Sequence, residues 1–539
     1  MMKKIGLFTG MLLLSCNIGL FAQGNEIDAY TLSNTGLGGT ARSIAMGGAF
    51  GALGGDISVI SSNPAGLGIY RSSEISGSLD LSMTKTFTNW SGVNTDQNKT
   101  RFAPNNFGFA LYFPTGSESI HNWNLGFSYN RIKNFNRRYR MSNDGQTYSM
   151  ADYTAWLASN AFGTGEGITK NEFENNPYDN KDLAGNWLPV LGYDNYFNHY
   201  VGGPNEYQSV FGYMENDKWN MISPYQNNLF VNESGHMDEY NVGFGMNISN
   251  FIFLGASVSV TDINYKYTSF YDESFVYNET KNDNLYLENW LNTEGSAVSV
   301  NVGAIVNLQM LRLGVAYNSP RWYDMTDYFD ARAGTYNNDY EEPAFETWIP
   351  EKCYNEYRFR TPGKWIFSGA LILGQSALIS ADYELVNYKE MEYSARNDNY
   401  GIDFPANDHI DNHYTWAHTL KLGAEIKATQ RFAVRAGYMM QTSPMREVLY
   451  DNLDEVFPSG TIPHFTVTSK PTNYYTVGIG YRFTPNVYMD LSCVYRYNSA
   501  NVYAFSNTDM YKSNDPVKSI PASLKTKTTR LALTLGYKF

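Results

Sequence analysis

Charge is scarce in this chain: Asp, Glu, Lys and Arg make up only 17% of its 539 residues. A soluble enzyme carries about a quarter, so a fully wetted surface is not what this composition serves. Basic residues are the minority even among the charges. The net charge of −13 leaves nothing to neutralise a phosphate backbone and excludes nucleic acid as a partner. Cysteine is nearly absent, with Cys16 in the leader, Cys353 in a predicted loop and Cys493 in a predicted strand. Their different settings exclude a disulfide framework. Long apolar runs are missing beyond residue 22, and mean hydropathy is −0.40, which excludes helical membrane spans. A membrane β-barrel is not excluded, because only alternate residues of its strands face lipid. Catalytic signatures are missing as well. There is no GxSxG elbow and no HExxH helix, so no enzyme activity is expected and no cofactor is implied.

What the chain has is aromatic residues and glycine, with 43 Tyr and 46 Gly. Lys3 and Lys4 precede an apolar core from Ile5 to Phe21, and Ala22 before Gln23 offers a cleavage point, so residues 1–22 read as a secretion signal. Residues 24–73 contain TARSIAMGGAFGALGGDISVISSNPAGLGIY (Thr40–Tyr70). Such a glycine run could cradle a phosphate, but no buried strand precedes it and no βαβ unit follows. Small side chains and a rigid Asn-Pro turn let backbone pass close to a wall. The stretch reads as a plug, with Gly47, Gly48, Gly51, Asn63, Pro64, Ala65 and Gly66 as candidate gate residues.

From residue 74 to 539 the period is two. Fourteen apolar rows recur, beginning with Ile75, Leu79, Leu81 and Met83 and ending with Leu531, Leu533, Leu535, Tyr537 and Phe539. Tight turns at Ser249–Ile252, Asn307–Met310, Leu373–Ser376, Lys427–Gln430 and Thr484–Asn486 alternate with long polar loops at 132–239, 268–295, 318–363, 390–414, 441–473 and 498–527. Short periplasmic turns opposite long external loops are the asymmetry of a bacterial outer-membrane barrel. The expected fold is all-β: a 14-stranded antiparallel transmembrane barrel with an N-terminal hatch and both mature chain ends on the periplasmic side. In the third strand the period slips after Tyr129, which predicts a bulge near Asn130–Lys133.

AMGGAFGALGGD followed by SSNPAGLG resembles the hatch of the FadL/TodX family of outer-membrane transporters for long-chain fatty acids and other hydrophobic compounds. LGVAYNSP (Leu313–Pro320), RFRTP (Arg358–Pro362), RAGYMMQTSP (Arg435–Pro444) and GYRFTPNVYMDLSCVYRY (Gly480–Tyr497) are similar to later segments of that family. The resemblance implies a passive channel for hydrophobic small molecules or fatty acids, a luminal hatch, and a side exit at a kink in the third strand. Outer-membrane lipid surrounds such a barrel, and the terminal Phe539 resembles the signal read by barrel assembly machinery. A second class stays open. The PorV component of type IX secretion resembles the same barrel but docks protein cargo, and the long tyrosine-rich loops here suit protein partners.

Inward rows carry Lys364, Asp382, Glu384, Lys421, Glu425, Arg435, Arg482, Asp490, Arg496 and Arg530, read either as an internal ion-pair network or as a carboxylate-binding set. Arg435, Arg496 and Arg530 are the candidate ligand residues, with Arg496 and Arg530 at one height on adjacent strands. In loop 132–239 a capping box at Ser149 and Asp152 starts a helix over Ser149–Phe162. Met150, Tyr153, Trp156 and Leu157 form its apolar stripe, read as packing on the barrel rim or as one wall of an access groove. His409 and His413 beside Asp408 and Asp411, and the acidic run Asn337–Glu342, are the places where haem or calcium would bind, though neither spacing is specific.

Overall fold

The computed structural model describes residues 24–145, 148–160, 167–179, 183, 187–203, 205–215, 218–278, 281–337, 345–350, 353–396, 404–451, 456, 459–506 and 519–539. The leader 1–22 lies outside them.

Fourteen strands form the wall: β1 Glu74–Trp90, β2 Val93–Pro114, β3 Ile120–Asn134, β4 Gln226–Ile248, β5 Ile252–Asn278, β6 Lys281–Leu308, β7 Leu311–Asn318, β8 Lys364–Leu373, β9 Ala377–Asn387, β10 Trp416–Lys427, β11 Phe432–Gln441, β12 Thr472–Arg482, β13 Val487–Tyr503 and β14 Ala522–Lys538. Each pairs antiparallel with the next. β14 returns to β1 in unbroken register from Lys538↔Glu74 to Ser523↔Asn89. Closure removes the free edges of the first and last strands. Outward rows such as Val242 and Phe244, Val258 and Val260, Val298 to Val302 and Val477 and Ile479 are exposed, forming the apolar belt of an outer-membrane barrel.

All five predicted tight turns lie at one rim, together with the Ser73–Phe539 backbone pair. Protease added to intact cells is therefore expected to cut among residues 144–225 and to spare Lys427–Gln430. First cleavage at that turn would invert the barrel.

Several strands continue far past their apolar rows. β5 and β6 are 27 and 28 residues long and stay paired to Asn278 and Lys281, where a loop over 268–295 was expected. The pleat does not change, but its chemistry inverts. From Leu254 to Val260 the outward residues of β5 are apolar. Beyond it Ile263, Tyr265, Tyr267, Tyr271 and Phe275 point inward and are buried. Above the lipid the outer face is wet and the inner face joins a core built from the external segments, including Phe359, Tyr393, Tyr414 and Phe505. The wall thus rises out of the membrane as the staves of a closed cap.

One expected feature is placed differently. The chain's C-terminal end sits at the short-turn rim, but helix α1 (Glu26–Ser33) lies at the opposite end, under the cap. Tyr393 and Tyr414 donate hydroxyl hydrogen bonds to the carbonyls of Asn25 and Glu26 at 3.2 and 2.9 Å. The apolar side chains Ile27, Ala29 and Leu32 are buried in the cap core. Their burial holds α1 up, away from the short-turn rim.

Candidate lumen site

From α1 the chain descends along the inward rows. Helix α2 (Ala41–Ala45) meets β12–β14, and the 3-10 turn Pro64–Ile69 meets β4 and β5 near the short-turn rim. Buried irregular backbone must find partners, and the wall supplies them from many sides. Asn105 donates to Gly39 O, Asn122 to Gly68 O (3.2 Å), Ser257 to Ile60 O (2.8 Å), Asn318 to Ser61 O (2.7 Å), Ser380 to Ala49 O (2.7 Å) and Thr476 to Ala45 O (2.9 Å). In the other direction Gly51 N donates to Asp382 Oδ2 at 2.9 Å.

The candidate gate residues lie together in this fabric. Asn63 caps the turn that Pro64 opens, accepting from Ala65 N at 3.2 Å, while its amide donates to Gly51 O at 2.6 Å. Gly47 holds φ +65°, and a Cβ there would stand 2.9 Å from the carbonyls of Leu422 and Tyr438. The wall answers with glycines of its own, which sequence reasoning did not single out. A Cβ on Gly255 would lie 2.3 Å from Ala65 N, and one on Gly437 the same distance from Gly47 N. Their signal was available as glycine on inward positions of β5 and β11.

The inward charges form networks. Glu425, 3% exposed, accepts from Arg42 of the N-terminal segment at 3.0 Å and from Arg435 at 2.6 Å. Arg435 also binds Asp490 at 2.6 Å. Lys421 and Lys364 share Glu384 at 2.6 and 3.6 Å, and Arg321 meets Glu239 at 2.7 Å. Arg435 is thus no free ligand group, because two buried carboxylates already occupy its guanidinium. Arg530 is also engaged, by Asp80, Leu37 O and Asn105. Arg496 differs. Among the described residues it has no carboxylate partner. Its Nε lacks any hydrogen bond, and it lies 5.7 Å from the Tyr474 ring.

Arg496 and Arg530 line one cavity of about 250 Å³, with Leu37, Lys133, Phe135 and Tyr474 among its other walls. This cavity lies beneath a break in the barrel. β2 and β3 are paired only from Pro114↔Asn122 to Asn106↔Asn130. Above that level β2 keeps its ladder to β1 alone. β3 stays with β4 but shifts register between Arg131 and Lys133, where the slip in period predicted a bulge. Side chains replace the missing ladder: Lys99 donates to Asn232 Oδ1 and Glu233 O at 2.8 and 2.6 Å, and Arg101 to Asn134 Oδ1 and Gly235 O at 2.8 and 2.6 Å. Phe102, next to Arg101, is 67% exposed, so the break begins at the outer edge of the belt. Sequence reasoning missed Lys99 and Arg101. Pro104 inside a strand was the usable signal, since the β1–β2 register shifts beside it and leaves Asn105 unpaired.

The helix expected at Ser149–Phe162 is α3, Met150–Ser159, with its capping box in place. Met150, Tyr153 and Leu157 are buried in the cap core and Trp156 is half-buried, so the first three line no open groove. Burial pushes the Asp152 carboxyl up to about 7, although Ser149 N donates to it at 3.0 Å. His413 is buried with Nδ1 3.4 Å from Glu26 Oε1 and stacks on His409. Among the described residues no cluster of His, Cys, Asp or Glu is arranged to hold a metal. The run 337–342 lies almost wholly outside them.

No protein-family model matches this chain, and no curated protein matches it. Solved structures do. A FadL homologue from Pseudomonas aeruginosa superposes with a TM-score of 0.52 at 10% identity, over 94% of this chain and 99% of that one. The toluene transporter TodX of P. putida gives 0.48 at 12% identity, over 94% and 99%. At 10% identity the first likeness is one of fold alone, a closed barrel like that of the FadL homologue.

Proposed function

We propose that this protein is a passive channel for hydrophobic compounds such as long-chain fatty acids, with residues 24–73 as its gate. The observation that carries the reading is the cavity beneath the β2–β3 break, lined by Arg496, which has no carboxylate partner among the described residues. The lining carboxylates Asp80 and Glu233 are taken by Arg530 and Arg137. A guanidinium without a carboxylate partner fits the anionic head of an amphiphile, and the break offers the apolar tail a way into the membrane. Below the cavity the lumen is filled by the N-terminal segment, so a lateral route is the shorter exit. No energised step is required, since the solute moves down its gradient into lipid.

The test uses purified barrel in liposomes. Arg496→Met is expected to slow uptake of a long-chain carboxylate about ten-fold and to leave uptake of a neutral hydrocarbon unchanged. Equal uptake of the carboxylate would remove Arg496 from the site. In a cysteine-free background, Arg101→Cys and Asn134→Cys joined by a short bis-maleimide should stop uptake of both solutes. Undiminished uptake after complete crosslinking would rule out the lateral route.

The filled, ion-paired lumen also favours a second reading, a docking scaffold of the PorV kind whose cap binds protein partners. Liposomes that take up neither solute, whatever the state of the gate, would favour that reading.

A further inference from the structure

Above the apolar belt, the outward face of the wall carries a second set of aromatic side chains that the channel reading does not use. β5 and β6 continue there into two further antiparallel strands, Trp322–Asn337 and Phe345–Trp348. The rings of Trp290 and Trp348 are parallel within 9° at 5.5 Å, and Phe270 stacks on Tyr286 at 6.0 Å. The Arg332 guanidinium lies 5.0 Å from the Trp348 ring, 6.0 Å from Trp290 and 5.8 Å from Tyr286. Glu288 accepts from Arg332 at 2.7 Å, and Glu346 accepts from the Tyr286 hydroxyl. Trp348 is 46% exposed, and Phe270 and Tyr336, which both contact the Tyr286 ring, are exposed on the same face.

Acyl chains are the wrong occupant. Between the belt and these rings runs a charged band, including Asp324 with Arg358 at 3.5 Å and Arg360 with Glu392 at 2.8 Å, which hydrocarbon would not solvate. A second copy of the chain fits poorly as well, because Glu288, Arg332 and Glu346 separate the rings where an interface core would be continuous and uncharged. Flat rings edged by carboxylates and a guanidinium suit a sugar. The C–H faces of a pyranose lie on the rings, and its hydroxyls bond to the charged groups.

Position selects which sugar. The outward row of β6 runs from lipid-facing Val298 to Trp290 in eight residues, about 25 Å along the strand. The rings therefore stand above the lipid interface, at the height of whatever the surrounding lipids carry beyond their acyl chains. We propose that this face binds the oligosaccharide headgroup of the glycolipid in the outer leaflet around it.

The experiment titrates the purified full-length barrel, in detergent, with oligosaccharide released by mild acid from the host bacterium's lipopolysaccharide. Calorimetry is expected to show saturable binding that Trp348→Ala and Arg332→Gln each weaken ten-fold or more, with folded gel mobility and melting temperature retained. Dextran should not bind. If Trp348→Ala fails to insert, Phe270→Ser replaces it. No binding by the wild type, or equal binding by the variants, would overturn the proposal. In the latter case the rings act only as cross-strand pairs that stiffen the hairpins. Self-association in sedimentation that Trp348→Ala abolishes would overturn it too, with a second copy as the occupant.

Discussion

A barrel lacking residues 24–70 is expected to insert, keep its heat-modifiable gel mobility and leak small hydrophilic probes that the intact protein excludes. The wall ladders close without the segment, because the β1–β14 register runs from Glu74 to Asn89 and uses none of it. What the deletion removes is the filling: the buried apolar groups Ile44, Phe50, Ile60 and Leu67, and the carbonyls that Ser257, Asn318, Ser380 and Thr476 bond. Those donors would then be met by water, so a continuous wet path is expected. Two point variants test the same fit more gently. Gly48→Val forces a β-branched residue to φ +76° with its Cβ 2.8 Å from Leu37, and Pro64→Ala loosens the turn that Asn63 caps. Both should alter solute passage while the barrel stays folded. Probe influx into liposomes is the measurement. A deletion variant that is intact yet no leakier would show that the segment does not seal the lumen.

The second large effect is expected at Glu425. Its carboxylate lies between Arg42 and Arg435, so Glu425→Ala leaves two guanidinium groups without their shared partner. Breaking a buried pair in this way costs about 3–5 kcal/mol. The loss should appear as a lower denaturant midpoint for the change in gel mobility, together with probe leakage, because Arg42 belongs to the N-terminal segment. Asp490 still holds Arg435 at 2.6 Å, so the wall should survive where the segment loosens. Glu425→Gln, which keeps an acceptor, should lose less. An unchanged midpoint in Glu425→Ala would mean that water already screens these charges.

The belt was legible because lipid imposes one rule on every strand, an apolar residue at each outward position, as in the row Leu254, Ala256, Val258 and Val260. Its phase gave strand count, turn side and the bulge near Arg131. The cap was hidden by the same rule. Beyond Val260 the alternation persists with the opposite face apolar, so Ile263, Tyr265 and Tyr267 read as the end of a strand when they are its continuation. The position of α1 was not legible, since Ile27 and Leu32 say that the helix is buried but not under which loops. Among the arginines, inward direction followed from parity. Whether each was free depended on carboxylates distant in sequence, as Asp80 is from Arg530 and Asp490 from Arg435.

The N-terminal segment spans the lumen from the cap to the short-turn rim, and this constrains the order of assembly. Ala41 N donates to Thr534 at 2.7 Å, Arg530 reaches Leu37 O, and Ser78 meets Thr534 at 2.6 Å. The segment is therefore bonded to the last strand along the same line where the first strand joins it. A cylinder already closed would have to admit residues 24–73 lengthwise from the short-turn rim. Enclosing the segment while β1 zips onto β14 is the more direct order, and in it residues 24–73 wait for the last strand.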